Sequence, residues 1–170
     1  MTNDRTQPGL GVLAVGAVAG IIAALATSLF EEASKNVRGA ATGVDVSEPP
    51  PTEALAEEIY HGATGSSLHG PSKTAAGMAV HLATGAGLGA AYAVLTQRWP
   101  AVKAGRGSAY GLAVWASVEE AGLALLGLKP APWRIAPPEH AFAALSHLVF
   151  GLTLGAVFEM GTAKRRDIGA

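Results

Sequence analysis

From Thr6 to Phe30 the chain carries no ionisable side chain. A membrane-crossing helix needs roughly 20 consecutive apolar residues, and a run of this length has few other ways to be buried. It is also much longer than the roughly 7–15 apolar residues of a signal peptide, and three comparable segments follow it. It therefore reads as a retained transmembrane helix. The composition agrees: hydrophobic residues make up 49% and charged residues only 15%, against about 25% charged in a soluble domain. Mean hydropathy is positive at +0.31.

Four spans are expected, at about 8–30, 74–97, 107–128 and 141–159, so that residues 1–170 form one membrane domain. The second run is interrupted by His81, the third carries Glu119 and Glu120, and the fourth carries His147. The expected fold class is all-α, an integral membrane four-helix bundle of two similar hairpins. Lys and Arg in the connections favour both termini in the cytoplasm: Arg5, Arg98, Lys103, Arg106, Lys164, Arg165 and Arg166 against Lys35, Arg38, Lys73, Lys129 and Arg134.

Between the first two spans, at about 39–73, lies an acidic external loop. Pro49-Pro50-Pro51 forces an extended start, Thr52 to Tyr60 suits a short helix, and Gly62, Gly65 and Gly70 are expected to break it. Glu58 and His61 match one Glu-x-x-His spacing of a carboxylate-bridged iron site, but such sites need two, so a solvated helix face is the expectation. Cysteine is absent, which removes disulfides and thiolate ligands. A net charge of −1 argues against nucleic acid as a partner. The lipid bilayer is the expected partner, with a second copy or another membrane subunit as further candidates.

The second and fourth spans repeat one another. His81-Leu-Ala-Thr-Gly-Ala-Gly-Leu-Gly-Ala-Ala-Tyr92 aligns with His147-Leu-Val-Phe-Gly-Leu-Thr-Leu-Gly-Ala-Val-Phe158, pairing the two histidines and setting Tyr92 opposite Phe158. The first and third spans echo each other through Gly16/Gly20 followed by Glu31-Glu32, and Gly107/Gly111 followed by Glu119-Glu120. All four carry Gly-x-x-x-Gly, the others being Gly85/Gly89 and Gly151/Gly155. Glycines four apart make a groove that lets helix backbones approach closely.

Helical rise of about 1.5 Å per residue sets depth. Counted from the external ends, His81, His147 and Glu119 lie roughly 10–15 Å in, and Glu31 joins them if the first helix continues to about Arg38. Each lies on the small-residue stripe of its helix, while Glu32 and Glu120 sit about 100° around. A carboxylate at mid-helix costs roughly 3 kcal/mol, so such residues need a reason. Three explanations compete. One is neutral packing glue in a structural or partner-binding subunit. Another is a metal or proton site of Glu31, His81, Glu119 and His147, with Glu32 and Glu120 as further candidates, suited to Zn, Mn or Fe. The third is bis-histidine haem b ligation by His81 and His147. A centre of this kind could activate oxygen, but nothing points to a substrate, and a non-enzymatic role is favoured.

The pattern resembles the YagU-like family of small four-helix bacterial inner-membrane proteins. The likeness rests on the Glu ending the first helix, Pro49-Pro50-Pro51, and His81 with Tyr92 and then Trp99-Pro100. Leu126-Gly127-Leu128-Lys129-Pro130, His147-Leu148-Val149 and Arg165-Arg166-Asp167 complete it. The sequence departs from the family pattern at Glu119-Glu120, where histidine is expected, and in its shorter external loop. The resemblance implies an inner-membrane location and a link to acid or envelope stress. It supplies no catalytic mechanism.

Overall fold

The computed structural model describes residues 9–43 and 50–168. Arg5, Asp45, Glu48 and Pro49 lie outside the described residues, as do the side chains of Arg166 and Asp167. The chain is all-α: α1 (Leu10–Thr42), α2 (Pro51–Thr64), α3 (Gly70–Arg98), α4 (Ser108–Val114), a π-helical stretch (Trp115–Gly122), α5 (Leu123–Leu125) and α6 (Pro137–Ile168), with short 3-10 turns at Pro100–Gly107 and Pro132–Arg134. Among the described residues there are three helices long and apolar enough to cross a membrane: Leu10–Thr42, Gly70–Arg98 and Pro137–Arg165.

The region expected as the third span departs from a uniform helix. It is an unbroken helical run from Ser108 to Leu125, but its middle widens into π geometry at Trp115–Gly122, where Glu119 and Glu120 stand. The Ser117 hydroxyl donates to the Ala113 carbonyl at 2.7 Å, a local bond that competes with the helical ladder. Single π turns of this kind recur at functional sites. The first helix, by contrast, is longer than expected. Its 33 residues span about 50 Å, against a hydrocarbon core of about 30 Å, so its last three turns project beyond the apolar layer.

Glycines decide how the long helices meet. Gly16 and Gly20 of α1 lie against Gly89 and Gly85 of α3: a Cβ on Gly20 would fall 2.0 Å from the Gly85 carbonyl oxygen, and one on Gly89 2.1 Å from that of Gly16. The same device joins α4 to α6, where a Cβ on Gly111 would fall 2.1 Å from the His147 oxygen and one on Gly151 2.4 Å from that of Gly107. Contacts this close give van der Waals attraction between backbones where no hydrophobic driving force exists.

Between these pairs α1 also packs along α6, and the centre is filled by aromatic rings. Tyr92 meets Phe158 edge-on, with centroids 5.4 Å apart and planes at 85°, so two positions aligned in the internal repeat touch one another. Tyr110 lies 5.1 Å from Tyr92 and donates its hydroxyl to the Leu88 carbonyl at 2.7 Å, fastening α4 to α3. Replacing Tyr110 with Phe keeps the ring and removes that bond. The expected loss is about 1 kcal/mol, a thermal midpoint a few degrees lower in detergent; an unchanged midpoint would leave the fastening to ring packing alone.

The external connection is more helical than expected. α2 begins at Pro51, runs through Gly62 and ends at Gly65 in the left-handed conformation (φ 70°). Ala56 is its buried residue, and Glu53 lies over Gly77 of α3. Glu57 accepts the Leu68 amide at 3.0 Å, which holds the link between α2 and α3. Glu58 and His61 are exposed, the solvated face expected of a single Glu-x-x-His.

Candidate functional site

α1 sets Glu31 about 32 Å along its axis from Leu10. His81 lies 17 residues before the end of α3 and His147 lies 17 residues before Lys164 on α6, each about 26 Å from the basic end. The glycine contacts fix the register between α1 and α3: with Gly20 against Gly85, His81 comes level with Ala24, about 10 Å along α1 before Glu31.

Ser146, which is buried, hydrogen-bonds to Glu31. His81, His147 and Glu119 all lie within electrostatic range of the same carboxyl. Glu31 nevertheless remains exposed and the two histidines half-buried, so the group is not sealed in a core. The His81 Nε2 is 3.1 Å from the Ala24 carbonyl oxygen and the His147 Nδ1 2.9 Å from that of Ala143. A carbonyl only accepts, so each of these nitrogens is the donor. The other nitrogen of each ring keeps its lone pair.

The two carboxylates of the π stretch take different partners. Lys129 Nζ lies 2.6 Å from Glu119 and 4.0 Å from Glu120. His140 Nδ1 lies 2.8 Å from Glu120, while its Nε2 is 3.1 Å from the Pro132 carbonyl. Glu120 Oε2 is buried with no hydrogen-bond partner. Glu120 is thus the less exposed of the pair, 12% against 24% for Glu119, although the helical-wheel argument ranks it second. Glu32 takes no part: its side chain is 76% exposed and pairs with Lys35 at 3.7 Å. Among the described residues no three His, Asp or Glu side chains converge closely enough to hold a metal ion. Glu31, His81, Glu119 and His147 share a crevice without forming a closed ligand set.

Further residues of this layer escape a reading of the sequence. Arg38 grips Glu139 with both Nε and Nη2, the former at 3.1 Å from each carboxylate oxygen, and ties α1 to α6. Arg38 is also within electrostatic range of Glu31 and Glu119. His140 stands in the first turn of α6 and is bonded to Glu120. The available signal was an excess of unlike charges at facing helix ends: Arg38, Lys129 and Glu139 each stand just outside an apolar run.

The arrangement sets hydrogen-bond acceptors beside fixed positive charge. Acceptors are present on Glu31, on the free ring nitrogens and on the unpartnered oxygen of Glu120, while Arg38 and Lys129 supply fixed positive charge.

No curated protein and no solved structure matches the chain. The family model described as "Protein of unknown function (DUF1440)" matches residues 42–156, which takes in α2, α3, the helical run of Glu119-Glu120 and most of α6. The chain belongs to that family, DUF1440, the YagU-like proteins.

Proposed function

We propose that this is a multi-pass protein of a bacterial inner membrane, both termini cytoplasmic, whose externally open crevice takes up and releases protons through Glu31, His81, Glu119 and His147. The observation that carries the reading is that His81 from α3, Ser146 and His147 from α6 and Glu119 from the π stretch all lie within hydrogen-bonding or electrostatic range of Glu31 on α1. The helical run Ser108–Leu125 completes a fourth crossing in this reading, and the two glycine-packed pairs, α1 with α3 and α4 with α6, are the two hairpins of the repeat.

Protons are favoured over a divalent metal by the partners of the donors. Lys129 holds Glu119 at 2.6 Å, and a cation placed beside that carboxylate would face the ammonium. Each imidazole is anchored through one nitrogen to a backbone carbonyl, which leaves the other free to accept a proton without moving the ring. Glu31 is exposed and has both rings within electrostatic range, so a carboxyl and two imidazoles lie near one another. The expected role is response to, or relay of, protons arriving from outside.

Infrared difference spectroscopy of the reconstituted protein across a pH step tests this directly. A pH-dependent carboxylic-acid C=O band should disappear in Glu31→Gln and shift in His81→Gln and His147→Gln, with amide bands unchanged. Titration with Zn²⁺ or Mn²⁺ forms the second arm. Stoichiometric binding lost in both His81→Ala and His147→Ala would replace the proton reading with a metal centre. A silent carboxyl region without metal binding would leave polar packing as the role of these residues.

A further inference from the structure

At the opposite, basic end of the molecule α3 and α4 diverge and leave an apolar groove of about 540 Å³. Its walls include Leu88, Leu95 and Trp99 from the α3 side and Val102, Ala113 and Val118 from the other. Ser117 also lines it, but its hydroxyl is spent on the Ala113 carbonyl. From Leu88 to Trp99 the groove extends about 16 Å along α3, close to the depth of one bilayer leaflet, half of a core about 30 Å thick.

The rim at the Trp99 end is cationic. Arg98, Lys103 and Arg106 are all exposed and flank the lining residues Trp99, Ala101 and Val102 in the chain. No acidic residue occurs between Arg98 and Val118. The turn is also shaped unusually. Gly105, Arg106 and Gly107 take successive left-handed conformations (φ 59°, 57° and 94°), a cost that a non-glycine residue bears only where its surroundings impose it. The imposition is visible, since the Arg106 carbonyl lies against Gly155 of α6, where a Cβ would fall 2.1 Å from the oxygen. The turn is held on α6 and the Arg106 side chain is left exposed at the rim.

We infer that this groove is a binding site for one anionic phospholipid of the cytoplasmic leaflet, its acyl chain between α3 and α4 and its phosphate at Arg98, Lys103 and Arg106. Charge complementarity selects the occupant. A dry slot one leaflet deep with three cations at its mouth fits an amphiphile with an anionic head, whereas a second copy of this chain would bring its own basic end to the same level. Lysine and arginine near a membrane surface attract anionic lipid with a strength that makes each worth a roughly fivefold preference. Trp99, 58% exposed at the rim, is at the depth where an indole sits among headgroups. The inference shares the membrane placement of the proposed function but is independent of its proton chemistry.

Trp99 serves as the reporter. In full-length protein carrying Trp115→Phe and Trp133→Phe, reconstituted in vesicles, lipids brominated on the acyl chain quench Trp99 on contact. Brominated phosphatidylglycerol in a phosphatidylcholine background should quench at a mole fraction several-fold lower than brominated phosphatidylcholine in the reverse mixture. Lys103→Gln should weaken that preference, and replacing Arg98, Lys103 and Arg106 together with Gln should abolish it. Quenching by brominated phosphatidylcholine should stay unchanged in both, which shows that the groove is intact. Equal quenching by the two headgroups, or a preference that survives the triple substitution, would overturn the inference. An Ala113→Phe variant that fills the groove should lower quenching by both lipids; unaltered quenching there would place the lipid elsewhere and also overturn it.

Discussion

Gly20→Leu is expected to unfold the helix pairing outright, while Gly87→Leu on the other face of the partner helix is expected to change almost nothing. A Cβ on Gly20 would stand 2.0 Å from the Gly85 carbonyl oxygen and 3.0 Å from the Gly89 Cα, both backbone atoms that cannot rotate aside. The two helices would have to separate, and with them goes the bond from His81 to the Ala24 carbonyl. Overpacking typically costs 1–3 kcal/mol, and backbone on both sides puts this case at the top of that range or above it. At Gly87 an added Cβ meets nothing within 4 Å, and a leucine there enters lipid at a cost of no more than about 0.5 kcal/mol. A thermal midpoint lowered by about 10 °C or more for Gly20→Leu, beside a change within about 2 °C for Gly87→Leu, is the expected pair of results. Similar midpoints in both would mean that the glycine contacts do not hold the bundle.

That contrast also separates what the sequence makes legible from what it hides. Small residues four apart admit one kind of contact, so Gly16/Gly20, Gly85/Gly89, Gly107/Gly111 and Gly151/Gly155 announce their seams before any coordinates are drawn. Fixed helical rise ties depth to residue count, which is why Glu31, His81, Glu119 and His147 are expected in one layer; the last three lie within electrostatic range of Glu31, while the glycine register sets His81 level with Ala24. Partner choice within the layer is another matter. Lys129 reaches Glu119 and His140 reaches Glu120 because the chain from Leu126 to Ala136 folds back over the π stretch, and turn geometry of that sort has no periodicity to read. The π stretch itself depends on a local change of hydrogen-bond pattern that leaves the apolar spacing of residues 115–122 almost untouched. The closed metal set suggested by residue types therefore gives way to a crevice whose carboxylates already have cationic or imidazole partners.

The Arg38–Glu139 pair, 101 residues apart in the chain, supplies the second large effect. The guanidinium meets the carboxylate with two of its nitrogens, a geometry lysine cannot reproduce. Glu139 is only 13% exposed, so Arg38→Ala strands a nearly buried carboxylate between α1 and α6. Breaking a fully buried pair costs about 3–5 kcal/mol, but Arg38 is 41% exposed and water screens part of that, so about 1–3 kcal/mol is expected. The exchange Arg38→Glu with Glu139→Arg restores opposite charges and should recover a good part of the loss; Arg38→Lys should recover less. In a double-mutant cycle the two alanine substitutions should couple by about 1–2 kcal/mol, and the coupling should shrink at high salt. Strict additivity would reduce the pair to a surface contact without a role in closing α1 onto α6. Arg38 also stands within electrostatic range of Glu31 and Glu119, so its loss should disturb the infrared carboxyl band even where the helices remain assembled. A band unchanged in folded Arg38→Ala would mean that the ion pair secures the helices and leaves the protonation of the crevice to the histidines.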